Sequence, residues 1–296
     1  MGVFILAGPT ASGKTDAAIA LAKRFDAEIV GADSRQIYRG MPIGTAAPTA
    51  EQLAAVPHHL VGFLDPHERY SAARFARDAV AAIADILSRG RRVIVVGGTG
   101  FYIRALTGDV ALAPQHDQTL RDRLAYEART HEAEFLHAWL ALRDPARAAA
   151  LAPNDTYRVL RALEIALANG DAAHDDIATL TLARAGIPFV KVFLDIPIAE
   201  NDARIEMRTE AMLAAGLVEE AERIGAGAVA ASAVGYPQAF AYLRGWSSHA
   251  EMREALARAT RRYARRQRAW FRTEPATTWL SPGDLERAAR ELLGWT

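Results

Sequence analysis

At 296 residues the chain can hold one large or two modest domains, and with 51% hydrophobic and 24% charged residues it has ample material for a core. Its 35 basic and 35 acidic side chains cancel, so no global charge announces a nucleic-acid or membrane partner, although a balanced total can conceal a local patch. The lack of cysteine excludes disulfides, thiolate zinc sites and a cysteine nucleophile. No run of about 18 apolar residues occurs and the N-terminus lacks the blocks of a secretory leader, so a cytoplasmic protein with no membrane partner is expected.

In chain order, VFILA (Val3–Ala7) predicts a buried strand and Lys14 to Arg24 a helix with Ala17, Ala18, Leu21 and Ala22 on its apolar side. EIVGADS predicts a second strand ending in polar residues. Ser71 to Arg89 carries apolar residues at helical spacing and stops at Gly90; RRVIVV follows as another buried strand running into GGTGFY. Strand and helix in alternation, with continuous apolar strands, predict a parallel sheet covered on both faces. From Asp117 to about Gly170 the chain is polar, alanine-rich and helical by period. NGDAAHDD (Asn169–Asp176) reads as a loop, and Pro188–Ile196 returns to strand character. After Asn201 come several helices, the longest from about His249 to Phe271. The expected fold class is α/β: a P-loop type of parallel-sheet core from residues 1–112 and 187–296, covered by helices and interrupted by a helical insertion over 113–186.

Gly8, Pro9, Thr10, Ala11, Ser12, Gly13, Lys14 and Thr15 fit G-x-x-x-x-G-K-[ST] at every fixed position, with a strand before and a helix after. Backbone N–H groups can converge there on an anion, the helix N-terminus and Lys14 add positive charge, and the Thr15 hydroxyl can ligate Mg2+. The motif indicates polyphosphate without specifying a nucleotide, so ATP binding stays open at this point. Asp33 lies just past the second strand, on the edge where open α/β sheets bind ligands. It is a candidate general base with Ser34, Arg35 and Gln36 beside it, or else a turn-capping residue. Thr99, in the Gly-Gly-Thr-Gly turn, faces the same edge. RATRRYARRQRAWFR concentrates Arg258, Arg261, Arg262, Arg265, Arg266, Arg268 and Arg272 on one helix. That density suggests a nucleic-acid backbone as partner; a solvated helix face with its aromatics in the core is the plainer reading. His58 and His59 lack partners at ligand spacing, which argues against a metal site.

In order along the chain stand GPTASGKT, DSRQIYRGMPIGTAAPT, PHHL, VGGTGFYIRAL, APNDTYRVLRALEI, RIEMRTEAMLAAGLVEEA, AVGYPQAFAYLRG and TRRYARRQRAWFR. This succession resembles the tRNA dimethylallyltransferase (tRNA isopentenyltransferase) family, bacterial type, over nearly the whole chain. The resemblance implies transfer of a dimethylallyl group from dimethylallyl diphosphate to the exocyclic N6 of the adenosine 3′-adjacent to the anticodon in tRNA, releasing diphosphate. Gly8 to Thr15 would then grip the departing diphosphate, with Thr15 holding Mg2+ and with Thr99 and Arg208 as further contacts. Asp33 would accept the proton of the attacking amine. Asp33, Ser34, Arg35 and Gln36 match the family's tRNA-contacting block, as do Arg121, Tyr157, Arg158, Val159, Leu160 and Arg161 in the insertion, which would grip the anticodon stem-loop. The family also suggests a monomer. Pro237 and Gln238 depart from its usual Gly-Tyr-Lys-Glu and carry no expected role, and Asn169–Asp176 replaces its more usual loop. An adenylate isopentenyltransferase, a P-loop small-molecule kinase and an RNA-binding protein with a vestigial nucleotide site are the competing readings.

Overall fold

The computed structural model describes residues 2–110, 118–168 and 180–296; the loop expected over Asn169–Asp176 lies outside them. The chain forms two compact units, residues 1–110 with 180–296, and residues 111–179.

The larger unit is built on a sheet whose described strands are β1 (Val3–Ala7), β2 (Ala27–Gly31), β3 (His58–His59), β4 (Arg92–Gly97), β5 (Phe189–Leu194) and β6 (Thr277–Leu280). All pairs are parallel and the order is β3-β2-β4-β1-β5-β6. β1 is central: Leu6 stands beside Val96 of β4 and Val192 of β5. Every β1 residue is buried, which is why this strand reads as an unbroken apolar run instead of an alternation.

Helices cover the sheet. They are α1 (Lys14–Phe25), α2 (Ala50–Ala55), α3 (Ala72–Ser88) and α4 (Gly100–Thr107) before the insertion. Phe4 and Leu6 of β1 join Leu21 and Phe25 of α1 in one apolar cluster, closed by Trp295, whose ring lies 5.9 Å from Phe4 and 5.5 Å from Phe25. Val3, Ile5 and Ala7 alternate to the opposite face. α3 starts where the Ser71 hydroxyl accepts from the Arg74 N–H, and its Phe75 stacks on Tyr102 of α4 at 4.3 Å.

The smaller unit contains α5 (Gln118–Thr130), α6 (Ala133–Arg143), α7 (Pro145–Ala149) and α8 (Thr156–Ala168), packed through Leu124, Leu136, Leu140, Val159 and Leu163. Residues 180–187 belong to the larger unit: Leu182 is fully buried there and its N–H donates to the Leu106 carbonyl at 2.8 Å. After β5 come α9 (Ile198–Ala214), α10 (Leu217–Ile224), α11 (Tyr236–Leu243), α12 (His249–Arg272) and α13 (Leu285–Leu293). Because the strands run parallel, the segments after β1, β2, β4 and β5 emerge at one edge. The chain leaves β1 for β2 on one side and reaches β5 on the other, so the order reverses at β1 and a crevice opens above it.

Candidate active site

The loop between β1 and α1 is held open by two left-handed residues, Ala11 at φ 63° and Gly13 at φ 84°, the latter ending the turn where α1 begins. A β-carbon on Gly8 would come within 2.9 Å of the Ser12 hydroxyl, so the loop closes only over glycine there. Three of its carbonyls are held by side chains. Lys14 Nζ donates to the Pro9 carbonyl at 3.3 Å, Asn201 Nδ2 to that of Thr10 at 2.9 Å and Arg204 Nη1 to that of Ser12 at 2.9 Å. Arg208 Nη1 reaches the Thr10 hydroxyl at 3.3 Å. Asn201, Arg204 and Arg208 lie at i, i+3 and i+7 of α9, one helical face laid along the loop. From α12, buried Gln267 accepts from the Thr10 N–H at 2.8 Å and donates to the Gly98 carbonyl at 2.9 Å.

Beside the loop is a cavity of about 260 Å³, lined on its polar side by Thr10, Asp33, Arg35, Arg208 and Arg266 and on its apolar side by Ile205, Met212, Val234 and Leu256. Lys14 keeps some surface toward solvent, but its ammonium is packed round by protein. Burial pulls its pKa from 10.5 to about 8; Asp33 opposes that change and the Arg208 guanidinium reinforces it. Burial lowers the Arg208 pKa as well. Two buried cations thus stand beside the loop, with Asp33 opposing the shift at Lys14 and Asp16 that at Arg208, and a bound polyanion would favour both charges.

Asp33 occupies an Asx turn: its Oδ1 accepts from the Arg35 N–H at 2.9 Å and the Gln36 N–H at 3.4 Å. The Thr99 hydroxyl accepts from the Ser34 N–H at 2.9 Å and donates to the Ser34 hydroxyl at 3.3 Å. In this structure, then, Thr99 braces the Asp33–Ser34 turn. Burial, and then the Asp33 charge, push the Tyr263 phenol up, while its hydrogen bond with Thr99 works the other way. The Gln36 side chain donates to the carbonyls of Thr45 at 3.1 Å and Ala46 at 2.8 Å, so it holds the cavity wall formed by Gly44, Thr45 and Ala46. Buried Glu220 holds the same wall from behind, accepting from the N–H groups of Ile43 at 3.0 Å and Gly44 at 2.7 Å and from the Tyr236 hydroxyl at 2.8 Å. Gln238, without an expected role, accepts from the Gly235 N–H at 2.9 Å and caps α11, while Pro237 sits in its first turn.

The remaining sequence candidates lie in the smaller unit. Tyr157 is 82% exposed, and Arg158 is exposed and paired with Asp155. Arg121 and Arg161 both bond Glu164, at 2.5 Å each. Burial works against the Glu164 charge, but these two guanidiniums outweigh it and hold its pKa low. Leu160 is half-buried, and Val159 is fully buried in the helical core, so the Val159 side chain supplies packing and no contact surface.

The arginine-rich helix reads differently in the fold. Arg258 pairs with Glu254, Arg261 with Glu206, Arg265 with Asp202 and Arg268 with Asp195. Asp202, Glu206 and Glu210 at i, i+4 and i+8 of α9 meet Arg265, Arg261 and Arg253 of α12 as an antiparallel ladder. Four of the seven arginines taken as a nucleic-acid signal are therefore paired with carboxylates, with Arg261 and Arg265 reaching across to α9. Arg262, Arg266 and Arg272 remain exposed and without carboxylate partners among the described residues.

No group of three histidines or carboxylates that could hold a metal occurs among the described residues. The oxygens available are the Thr15 hydroxyl in the first turn of α1 and the Ser12 hydroxyl, which is buried without a hydrogen-bond partner. Hard neutral oxygens suit Mg2+ that arrives with phosphate oxygens and its own waters, so the residues present fit such an ion.

Residues 36–274 match the IPP transferase family model. The chain is 48% identical over 300 residues to a tRNA dimethylallyltransferase of Anaeromyxobacter dehalogenans, covering 99% of each chain. It is 43% identical over 283 residues to one from Geobacter sulfurreducens, covering 94% of this chain and 91% of that one. Among solved structures, the full-length tRNA isopentenylpyrophosphate transferase of Bacillus halodurans superposes with a TM-score of 0.71 at 34% identity, covering 99% of this chain and 95% of that one. A eukaryotic dimethylallyltransferase acting on tRNA shares the fold, with a TM-score of 0.75 at 23% identity over 99% of this chain and 76% of its own.

Proposed function

Since this chain belongs to the IPP transferase family, as a tRNA dimethylallyltransferase, we propose how its residues divide the work of the reaction. The enzyme transfers a dimethylallyl group to N6 of the adenosine 3′-adjacent to the anticodon. The C–O bond to the diphosphate breaks, a bond from N6 to the allylic carbon forms, and the N6 proton is lost. In our reading the Gly8–Thr15 loop, Lys14 and Arg208 receive the diphosphate and neutralise the charge that builds on it as it leaves, the term that dominates such catalysis. The observation that carries this is the burial of two cations, Lys14 and Arg208, beside the loop, which lowers the pKa of both. Mg2+ bound with the diphosphate would be held by Thr15 and would supply further positive charge.

Asp33 accepts the N6 proton. Its Oδ1 is fixed by the turn, which aims the other oxygen while Thr99 and Ser34 brace that turn from behind. An adenine amine is barely basic before it is alkylated, so placement of this carboxylate matters more than its strength. Ile205, Met212 and Leu256 receive the prenyl group and keep water from the allylic carbon. The adenosine leaves its stack to reach the cavity, at a cost of a few kcal/mol regained inside it. Arg35, Arg262 and Arg266 contact RNA phosphates, and the smaller unit grips the stem-loop by shape through exposed groups such as Tyr157 and Arg158. We take the enzyme to be a cytoplasmic monomer; none of the described helices is long and apolar enough to cross a membrane.

The test follows radiolabelled dimethylallyl from its diphosphate, with Mg2+, into an anticodon stem-loop or into AMP, with ATP turnover measured in parallel. Label in the stem-loop that is lost in Asp33→Ala is expected. Label in AMP alone, or ATP consumption without transfer, would overturn this assignment.

A further inference from the structure

Three groups converge on Thr10. Its N–H goes to Gln267 Oε1 at 2.8 Å, its carbonyl receives Asn201 Nδ2 at 2.9 Å, and its hydroxyl receives Arg208 at 3.3 Å. The carboxamide of Gln267 uses its other end on the Gly98 carbonyl at 2.9 Å, in the turn after β4 that carries Thr99. Gln267 is 5% exposed and stands 257 residues from Thr10 in sequence. Its place is cut to fit: a β-carbon on Gly98 would fall 2.1 Å from Gln267 Nε2 and 3.3 Å from the Gly8 carbonyl. One side chain therefore ties the phosphate loop to the turn bracing Asp33, and the glycine opposite exists to admit it.

We infer that Gln267 is a positioning residue for the donor diphosphate, locking the Thr10 peptide so that the loop is preorganised and registering it against the Asp33–Thr99 side of the cavity. This rests on the reading of Gly8–Thr15 as the diphosphate site. A carboxamide can accept from one peptide group and donate to another without bringing a charge beside the anion. Neutrality matters, because a carboxylate here would repel the leaving group and would lose the donor toward Gly98. Asn201 does the matching work on the next peptide group, at the Thr10 carbonyl, also without charge.

The prediction separates positioning from mere packing. Gln267→Met fills the same space with neither hydrogen bond, and Gln267→Ala is its partner variant should the longer side chain disturb folding. Either variant should weaken binding of inorganic diphosphate with Mg2+, measured calorimetrically, and raise KM for dimethylallyl diphosphate by about tenfold, one lost hydrogen bond in free energy. KM for the stem-loop should stay within about twofold. Gly98→Ala should reproduce this loss by displacing the carboxamide, and combining it with Gln267→Ala should cost little beyond Gln267→Ala alone, because the group 2.1 Å away is gone and only the tight 3.3 Å approach to the Gly8 carbonyl remains. Wild-type diphosphate affinity in the Gln267 variants, equal rises in both KM values, or a double variant carrying the product of the two single losses would each overturn the inference. Failure of the unmutated enzyme to bind diphosphate at all would instead bring down the donor-site reading, and this inference with it.

Discussion

Lys14 and Arg208 are buried beside the phosphate loop with no carboxylate in an ion pair with either among the described residues, only the charges of Asp33 on Lys14 and Asp16 on Arg208, whereas Arg261 and Arg265 of α12 each meet a carboxylate on α9. Both regions are basic, and both lie along α9, which turns Asn201, Arg204 and Arg208 toward the phosphate loop and Asp202, Glu206 and Glu210 toward α12. The difference is charge matching. Positive groups answered by negative ones assemble the protein; buried positive groups left unpaired wait for a ligand. A count of arginines does not separate the two, and the identity of what stands opposite does.

The comparison breaks most visibly at Lys14. Lys14→Met should lower kcat/KM for prenyl transfer by about 10³-fold, since it removes a full charge from beside the leaving group. It should leave the ligand-free protein at least as stable, because the lost ammonium was poorly accommodated; a fall in Tm of many degrees would mean that Lys14 is chiefly structural. Asp33→Asn keeps the shape of the turn and removes the proton acceptor. It should lower kcat by about 10²–10³-fold while leaving diphosphate binding nearly intact, and an unchanged kcat in single-turnover measurements would remove Asp33 from the base role.

A pH experiment sharpens the same contrast. The Lys14 pKa is about 8 when folded against 10.5 for an ordinary lysine, so the unfolded chain binds more protons between those limits and stability rises with pH across that window. The penalty below pH 8 is on the order of 3 kcal/mol, and saturating diphosphate should restore the ammonium and flatten the rise. Thermal melts from pH 7.5 to 10 with and without inorganic diphosphate measure it; identical slopes in both would contradict an anion site at Lys14. The smallest effect is expected at a matched charge. Arg265→Ala loses an exposed pair worth about 0–1 kcal/mol and should leave transfer within about twofold. A large loss of RNA affinity there would show that the α9–α12 ladder also serves the substrate.

Much of this was legible along the chain, because strand, loop and helix at Val3–Phe25 are local and their spacing is fixed by the chemistry of binding phosphate. Asp33 was legible as well, from its position after a strand. What was hidden depends on partners far apart in sequence. Asn201 and Arg204 touch the loop some 190 residues away and Gln267 from still further, although the polar i, i+3, i+7 stripe at Asn201, Arg204 and Arg208 is visible once that face is known to be inward. The acidic i, i+4, i+8 series on α9 was the available sign that the α12 arginines had partners. β3 and β6 escaped because they have only 2 and 4 residues, and the Thr-Thr-Trp-Leu of β6 lacks a continuous apolar run. Val159 went unrecognised as packing because sequence proximity to exposed Tyr157 says nothing about which side of α8 a residue faces.

The sheet order also bears on how the enzyme is made. β1 is synthesised first and lies in the middle, yet its hydrogen-bonding neighbours begin at Arg92 and Phe189, and Trp295 closes the cluster over its Phe4. A ribosome that has released the phosphate loop has delivered none of the strands that hold it. The nascent chain must carry β1 without a partner until Arg92–Gly97 emerges and with one edge still open until Phe189–Leu194 follows, and the loop takes its working shape only when α12 brings Gln267 to it.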